Sequence, residues 1–523
     1  MHWADTIAKK VVQLRPDRQE YVCAAGISPS GAVHIGNFRD VATAFFVAEA
    51  LKKMGKNARL LFSWDDFDRF RKVPKNVDAD FEQYIGMPLS AVPDPQAEAE
   101  SYADRFEQQF IESMKTMHID IDYRFQTKEY KSGRYADGII TALQKRGEIY
   151  DILARFRTQP WDEEERRQYI PLNVYSEKTG KDDTTILEIS DDCTKVRYRC
   201  NETGFENDID IRVGGTFKLP WKIDWPMRWA AEGVTFEPGG KDHATPGGSF
   251  DVAKVIAKNI YSIDAPIFEG YAFVRLKGET SKMSGSSGVL LTPGDLLAVY
   301  QPEILRWMFA RFAPNKEFNI ALDEDVLKSY DEFDRGLKQL RENKGNPDAL
   351  RALELATIKN REIVSVPFRQ LSSFAPIFQG NDQKLADFFT RIGTPYKAED
   401  LTERRQKAES WMRSYSPESI NDLQERPNAE YYAALNEEER AWLKRLADEF
   451  GAHSESMEEL NTLLYAIPKR EDLTEEEKKQ RQRRFFTIVY NMLIGKDAGP
   501  RMSTFLFALD NASIEKLINF QPA

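Results

Sequence analysis

Three stretches of this chain carry residue types whose spacing could do chemistry. The first runs Gly26-Ile27-Ser28-Pro29-Ser30-Gly31-Ala32-Val33-His34-Ile35-Gly36-Asn37. Small residues between a strand and a helix let backbone N–H groups approach an anion, and the helix start adds partial positive charge. His34 in such a loop can donate to phosphate oxygens as charge develops, and Gly36 leaves room for a purine or ribose against the backbone. The stretch is neither G-x-G-x-x-G nor followed by GK[ST], so the common dinucleotide and P-loop readings fail. A plain β-α turn rich in small residues would look the same.

The second stretch is Lys282-Met283-Ser284-Gly285-Ser286-Ser287-Gly288. A lysine on a flexible loop can swing onto a polyphosphate and offset charge on a leaving group; an exposed linker is the plainer alternative. The third is Ser63-Trp64-Asp65-Asp66-Phe67-Asp68, whose three carboxylates either meet a cation or form an acidic surface turn. Farther on, Trp221, Trp225 and Trp229 either fill core or wall an alkyl stem and its ammonium. In Gly239-Gly240-Lys241-Asp242-His243 the glycines allow close backbone approach, Asp242 can accept ribose hydroxyls and His243 can face an amino acid, with Tyr271 a further candidate for that pocket.

The elements that must position these groups are legible in part. Tyr21 to Ala25 is an apolar run suited to a buried parallel strand. Asn37 to Met54 has helical periodicity, with Val41, Ala44, Phe45, Ala48 and Leu51 on one face and Gly55 as a stop. Ala58 to Ser63 reads as a second strand, making half of a doubly wound sheet, whose ligands sit at the carboxyl ends of the strands. The expected architecture is α/β: a doubly wound, Rossmann-like parallel-sheet catalytic domain with an insertion, then an all-α C-terminal region. Residues 1–90 form the first half of the sheet domain, 91–215 the insertion and 216–290 the second half with the Lys282 loop. A helical region spans 291–345 and a larger one 346–523. Inside the insertion, Ser101 to Met117 is expected as helix, and Thr194 to Arg199 and Asp208 to Val213 as short charged strands. The charged run Glu475 to Arg484 reads as a solvated helix face.

Bulk properties narrow the class. A chain of 523 residues suggests about three domains. With 41% hydrophobic and 30% charged residues, it can build cores and is too polar for a membrane protein; no run of about 18 apolar residues appears. Met1 to Asp5 lacks the basic start of a signal peptide, and 3 cysteines suit a reducing cytoplasm rather than a disulfide framework. Cys193 and Cys200 are no CxxC pair, so a structural zinc site is not expected. A net charge of −11 does not describe a protein coated in nucleic acid, although a local basic face would still bind RNA.

His34-Ile35-Gly36-Asn37 resembles the HIGH signature of class I aminoacyl-tRNA synthetases, and Lys282 to Ser286 resembles the family's mobile KMSKS loop. Asn37 in the last HIGH position, with the strings at Trp221 and Gly239, looks like the class I lysyl branch; the likeness extends to Phe485–Tyr490 and Leu493–Arg501. The resemblance implies lysine, ATP as its Mg²⁺ complex and tRNA(Lys) as substrates, no tightly bound cofactor, no DNA or membrane partner, and a monomer. It implies ATP contacts from Ser30, His34, Gly36, Asn37, Gly239, Asp242, Lys282, Ser284 and Ser286, with His34, Asn37 and Lys282 acting in catalysis. It places lysine among Gly26, Ser28, Asp65, Asp66, Asp68, Trp221, Trp225, His243 and Tyr271. By likeness to the glutamyl and glutaminyl enzymes Asp65 would take the α-ammonium, with Asp66 and Asp68 left for the side chain. The chain departs from the family at Gly285, where a second lysine would stand. Two alternatives stay open: the same fold with another amino acid, such as glutamate, and a nucleotidyltransferase-like binding protein that has lost tRNA charging.

Overall fold

A computed structural model describes residues 1–74, 77–157, 161–245, 247–278 and 290–519, without the side chains of Asp242 and Ala244. Five parallel strands organise it: β1 Tyr21–Ile27, β2 Ala58–Trp64, β3 Asp122–Phe125, β4 Val234–Gly240 and β5 Ile267–Tyr271. They lie side by side in the order β5-β4-β1-β2-β3. That is the doubly wound arrangement, with the order reversing between β1 and β4. Register runs Tyr21 beside Ala58 to Ile27 beside Trp64, and Ile267 beside Phe236 to Tyr271 beside Gly240.

Helix α1, Ile35–Lys53, connects β1 to β2 and is buried on nearly every face. Lys52 and Lys53 in its last turn complement the dipole, and Gly55 (φ 75°) turns the chain in a conformation that favours glycine. Gly26 and Ile27 belong to β1 rather than to the loop.

The stretch 91–215, expected outside the sheet, supplies part of it. Helix α2, Tyr102–Thr116, leads into β3, which pairs in parallel with β2 from Leu61–Asp122 to Trp64–Phe125. β3 is a half-buried edge strand that mixes charge with aromatics, so it lacks the continuous apolar run of a central parallel strand. The rest of the insertion contains a three-stranded antiparallel sheet, Thr184–Ile189, Lys195–Cys200 and Glu206–Asp210; residues 211–213 form a short 3-10 turn instead of extending the last strand. Helix α3, Trp221–Glu232, returns the chain to β4 and ends on Gly233 in the left-handed region.

Two compact units emerge. One comprises Met1–Ala321 with Arg335–Arg361, the other Leu322–Asp334 with Glu362 onward. The second is helical among its described residues. In it Glu475–Ile494 begins with a capping box between Thr474 and Glu477, and its charged start is mostly exposed, with Arg481 paired to Glu438. No helix among the described residues is long and apolar enough to cross a membrane.

Candidate active site

The sheet's reversal point opens a cavity of about 100 Å³ at the carboxyl ends of β1 and β4. Ligands of doubly wound sheets sit there because diverging loops leave a crevice. Gly26 closes one side from β1, and Gly239 and Gly240 the other from β4. The first turns of α1 contribute Asp40, and α3 contributes Trp221, Trp225, Arg228 and Trp229.

The N-terminus of α1 is built around His34. Its backbone is extended, and its Nδ1 accepts the Gly36 N–H at 3.1 Å, capping the helix. With Nδ1 accepting, the neutral ring carries its proton on Nε2. A Cβ on Gly36 would lie 2.9 Å from that ring, so the His34 cap itself requires a glycine-sized residue here. Asn37 is half-buried in the same turn. Ser28 is half-buried and Ser30 exposed; neither lines the cavity, and the Ser30 carbonyl accepts the Tyr102 hydroxyl at 3.0 Å. Leu291 O accepts the Ile35 N–H at 2.8 Å, returning the chain to this helix start. Lys282, Ser284 and Ser286 lie outside the described residues, as does the Asp242 side chain.

The acidic turn is divided by tertiary contacts. Asp65 reaches the cavity, where Oδ1 accepts from Arg228 Nη1 at 2.7 Å. Arg228 also pairs with the fully buried Asp224 at 3.0 Å, and Tyr130 donates to that carboxylate. Burial raises the Asp65 carboxyl above its ordinary range against the pull of Arg228. Asp66 faces elsewhere, accepting the Thr127 N–H at 2.9 Å, and burial pushes it up to about 6. Asp68 is tied to Lys218 at 2.5 Å. Neither Asp66 nor Asp68, both expected as candidates for the substrate side chain, lines the cavity; Thr127 holds the first and Lys218 the second.

The tryptophans do line it. Trp221 and Trp225 stack with ring centroids 5.0 Å apart, and Trp225 meets His243 edge-on at 6.0 Å. His243 and Tyr271 both approach Gly240: a Cβ there would lie 3.9 Å from the imidazole and 4.0 Å from the Tyr271 hydroxyl. Gly239 also has a packing reason: a Cβ there would sit 2.5 Å from the Phe268 ring.

Two residues that sequence reasoning passed over complete the site. Glu237, on β4, accepts indole N–H bonds from Trp225 at 3.0 Å and Trp229 at 2.5 Å. Asp40, on α1, accepts the Gly26 N–H at 3.2 Å. Both had a signal: Glu237 is an acid just before a Pro-Gly-Gly strand end, and Asp40 an acid inside an apolar helix. Among the described residues no group of three or more His, Cys, Asp or Glu is placed to hold a metal ion.

The profile of the family described as tRNA synthetases class I (K) matches residues 1–359. The chain is 36% identical to a lysine–tRNA ligase of Pyrococcus horikoshii, with 100% of each chain covered. It is 35% identical to one of Treponema pallidum, covering 99% of this chain and 98% of that one, and 34% identical to one of Streptomyces coelicolor, covering 99% and 97%. With the parallel sheet, the His34-capped helix and the cavity at the sheet's reversal point, these matches show that the chain belongs to the class I tRNA synthetases of the K family.

Proposed function

We propose that the chain is a lysine–tRNA ligase that activates L-lysine with ATP and transfers it to the 3′ end of tRNA(Lys). One structural observation supports lysine in particular. The cavity beside the His34-capped helix holds Asp40, Asp65 and Glu237, and its one lining cation among the described residues, Arg228, is already engaged by Asp65 and Asp224. A glutamate substrate would need an available cation there, whereas a substrate with two ammonium groups meets the excess of carboxylate.

In the first step the lysine carboxylate attacks the α-phosphorus of ATP, which is bound as its Mg²⁺ complex. The bond to the β-phosphate breaks and pyrophosphate leaves. In the second step the terminal ribose hydroxyl of the tRNA attacks the lysyl carbonyl and AMP departs. No covalent enzyme intermediate is required, so the protein contributes positioning and charge stabilisation. His34 Nε2–H and Asn37 act on the phosphates from the start of α1, and Lys282 acts on the leaving pyrophosphate. Asp65, held by Arg228, takes the α-ammonium. The helical C-terminal region docks the anticodon, and the enzyme works as a cytoplasmic monomer.

Pyrophosphate exchange with each of the twenty amino acids in turn, with tRNA present, followed by charging of total tRNA, tests this reading. Exchange and charging with lysine are expected. Exchange with a different amino acid would reassign the substrate, and no exchange with any would leave a binding protein.

A further inference from the structure

Glu237 is held in an unusual way. Both its oxygens are engaged, yet both donors are neutral indoles, those of Trp225 and Trp229. Indole N–H groups orient a carboxylate without cancelling its charge, unlike a lysine or arginine partner. Asp40 lines the same cavity and likewise accepts from a neutral donor, the Gly26 N–H. Among the described residues neither carboxylate forms an ion pair, while the nearby guanidinium of Arg228 is shared between Asp65 and Asp224. Burial raises both carboxyls. For Asp40 the proximity of Glu237 adds to it, and for Glu237 the result is about 7, against the pull of the two indoles. Two recessed carboxylates beside stacked tryptophans are costly while no cation is present.

We propose that Glu237, oriented by Trp225 and Trp229 and assisted by Asp40, is the acceptor for the distal ammonium of the substrate side chain and so sets the enzyme's preference for lysine. This rests on the lysine–tRNA ligase reading. It replaces Asp66 and Asp68, which are bound to Thr127 and Lys218 outside the cavity. The aromatic wall from Trp221 to Trp229 then flanks the aliphatic stem, with its charged end at the Glu237 carboxylate.

The test uses the full-length enzyme and its Glu237→Gln, Glu237→Asp and Asp40→Asn variants, with tRNA present in every assay. Lysine KM and ATP KM are read from pyrophosphate exchange. Norleucine, which has a similar stem and no ammonium, is read as a competitive inhibitor. Glu237→Gln is expected to raise lysine KM by roughly 10- to 100-fold, the range for losing a hydrogen bond to a charged group. ATP KM and norleucine inhibition should stay at parental values. Glu237→Asp, which keeps the charge, should retain most of the preference for lysine over norleucine, and Asp40→Asn should fall between the two. Parental lysine KM in Glu237→Gln would overturn the inference, as would equal weakening of lysine and norleucine, which would make Glu237 a shape-giving residue. If the parent shows no lysine-dependent exchange, the lysine–tRNA ligase reading itself fails; if the parent is active and the variants match it, only this inference fails.

Discussion

At the scale of single residues, His34 shows how one hydrogen bond decides a chemical role. Its Nδ1 is used as a helix cap by the Gly36 N–H, which leaves Nε2 as the proton-bearing nitrogen. Replacing His34 with alanine should lower kcat for lysine-dependent exchange by about 100-fold, the usual cost of losing one donor to a charged transition state, with lysine KM little changed. An equal change in KM would mean that the ring serves ground-state binding instead. Glu237 makes a pH prediction. Its carboxyl is raised from 4.5 to about 7, so the folded protein holds that proton more tightly than the unfolded chain does. This contribution favours folding at low pH and is lost as pH rises through about 7. Lysine binding has the opposite sign, because the ammonium needs the ionised form: lysine KM should fall as pH rises toward neutrality and then level off. Asp40, Asp65, Arg228, Glu232, His243 and Tyr271 border the same cavity. The slope should therefore weaken in Glu237→Gln and persist in His243→Asn; a steep slope in the former would assign the titration to another group.

At the scale of elements, β4 and α1 are the parts that carry the site, and their glycines and charges have packing reasons that spacing does not show. Gly239→Ala would place a Cβ 2.5 Å from Phe268. Overpacking of this kind costs about 1–3 kcal/mol, so thermal melting should drop, and a smaller side chain at Phe268 should restore it. If Phe268→Leu does not rescue the variant, the clash is not the cause. α1 is anchored by Arg39, whose guanidinium reaches the carbonyls of Ala313, Pro314 and Lys316 at 2.7–3.0 Å. Arg306 is also structural: it is buried, donates to Leu355 O at 2.9 Å and lies over the Phe45 ring. From sequence, β1, β2 and α1 were legible because burial on all sides writes long apolar runs. β3 was not, because an edge strand needs only half its surface covered.

At the scale of the whole molecule, the cavity belongs to the unit Met1–Ala321 with Arg335–Arg361. The other unit is held by its own core: the Tyr330 and Phe368 rings stack at 3.7 Å, and Arg404 grips Asp334 through two bonds of 2.7 and 2.6 Å. Arg404 is 1% exposed. Removing one partner of such a pair costs about 3 kcal/mol or more, so Arg404→Ala should lower the melting temperature of this unit. If anticodon docking belongs here, the variant should keep equilibrium lysine binding and lose tRNA charging. Loss of lysine binding in a folded variant would place part of the amino-acid site in this unit.

The sequence by itself determined β1, β2, the His34 helix start and the family, because these are encoded in contiguous strings: a strand, a small-residue loop and a helix cap. It also brought Gly26, Asp65, Trp221, Trp225, His243 and Tyr271 forward as candidates for one pocket, which is where they meet. Only the tertiary structure decided which carboxylates remain available to a substrate. Asp65, Asp66 and Asp68 are neighbours in sequence, but Arg228, Thr127 and Lys218 reach them from distant segments. Asp40 and Glu237 are far apart in sequence and reach one cavity because β1 and β4 are adjacent strands. A charge's availability depends on the partners that folding brings to it, and those partners are set by long-range packing rather than by local spacing.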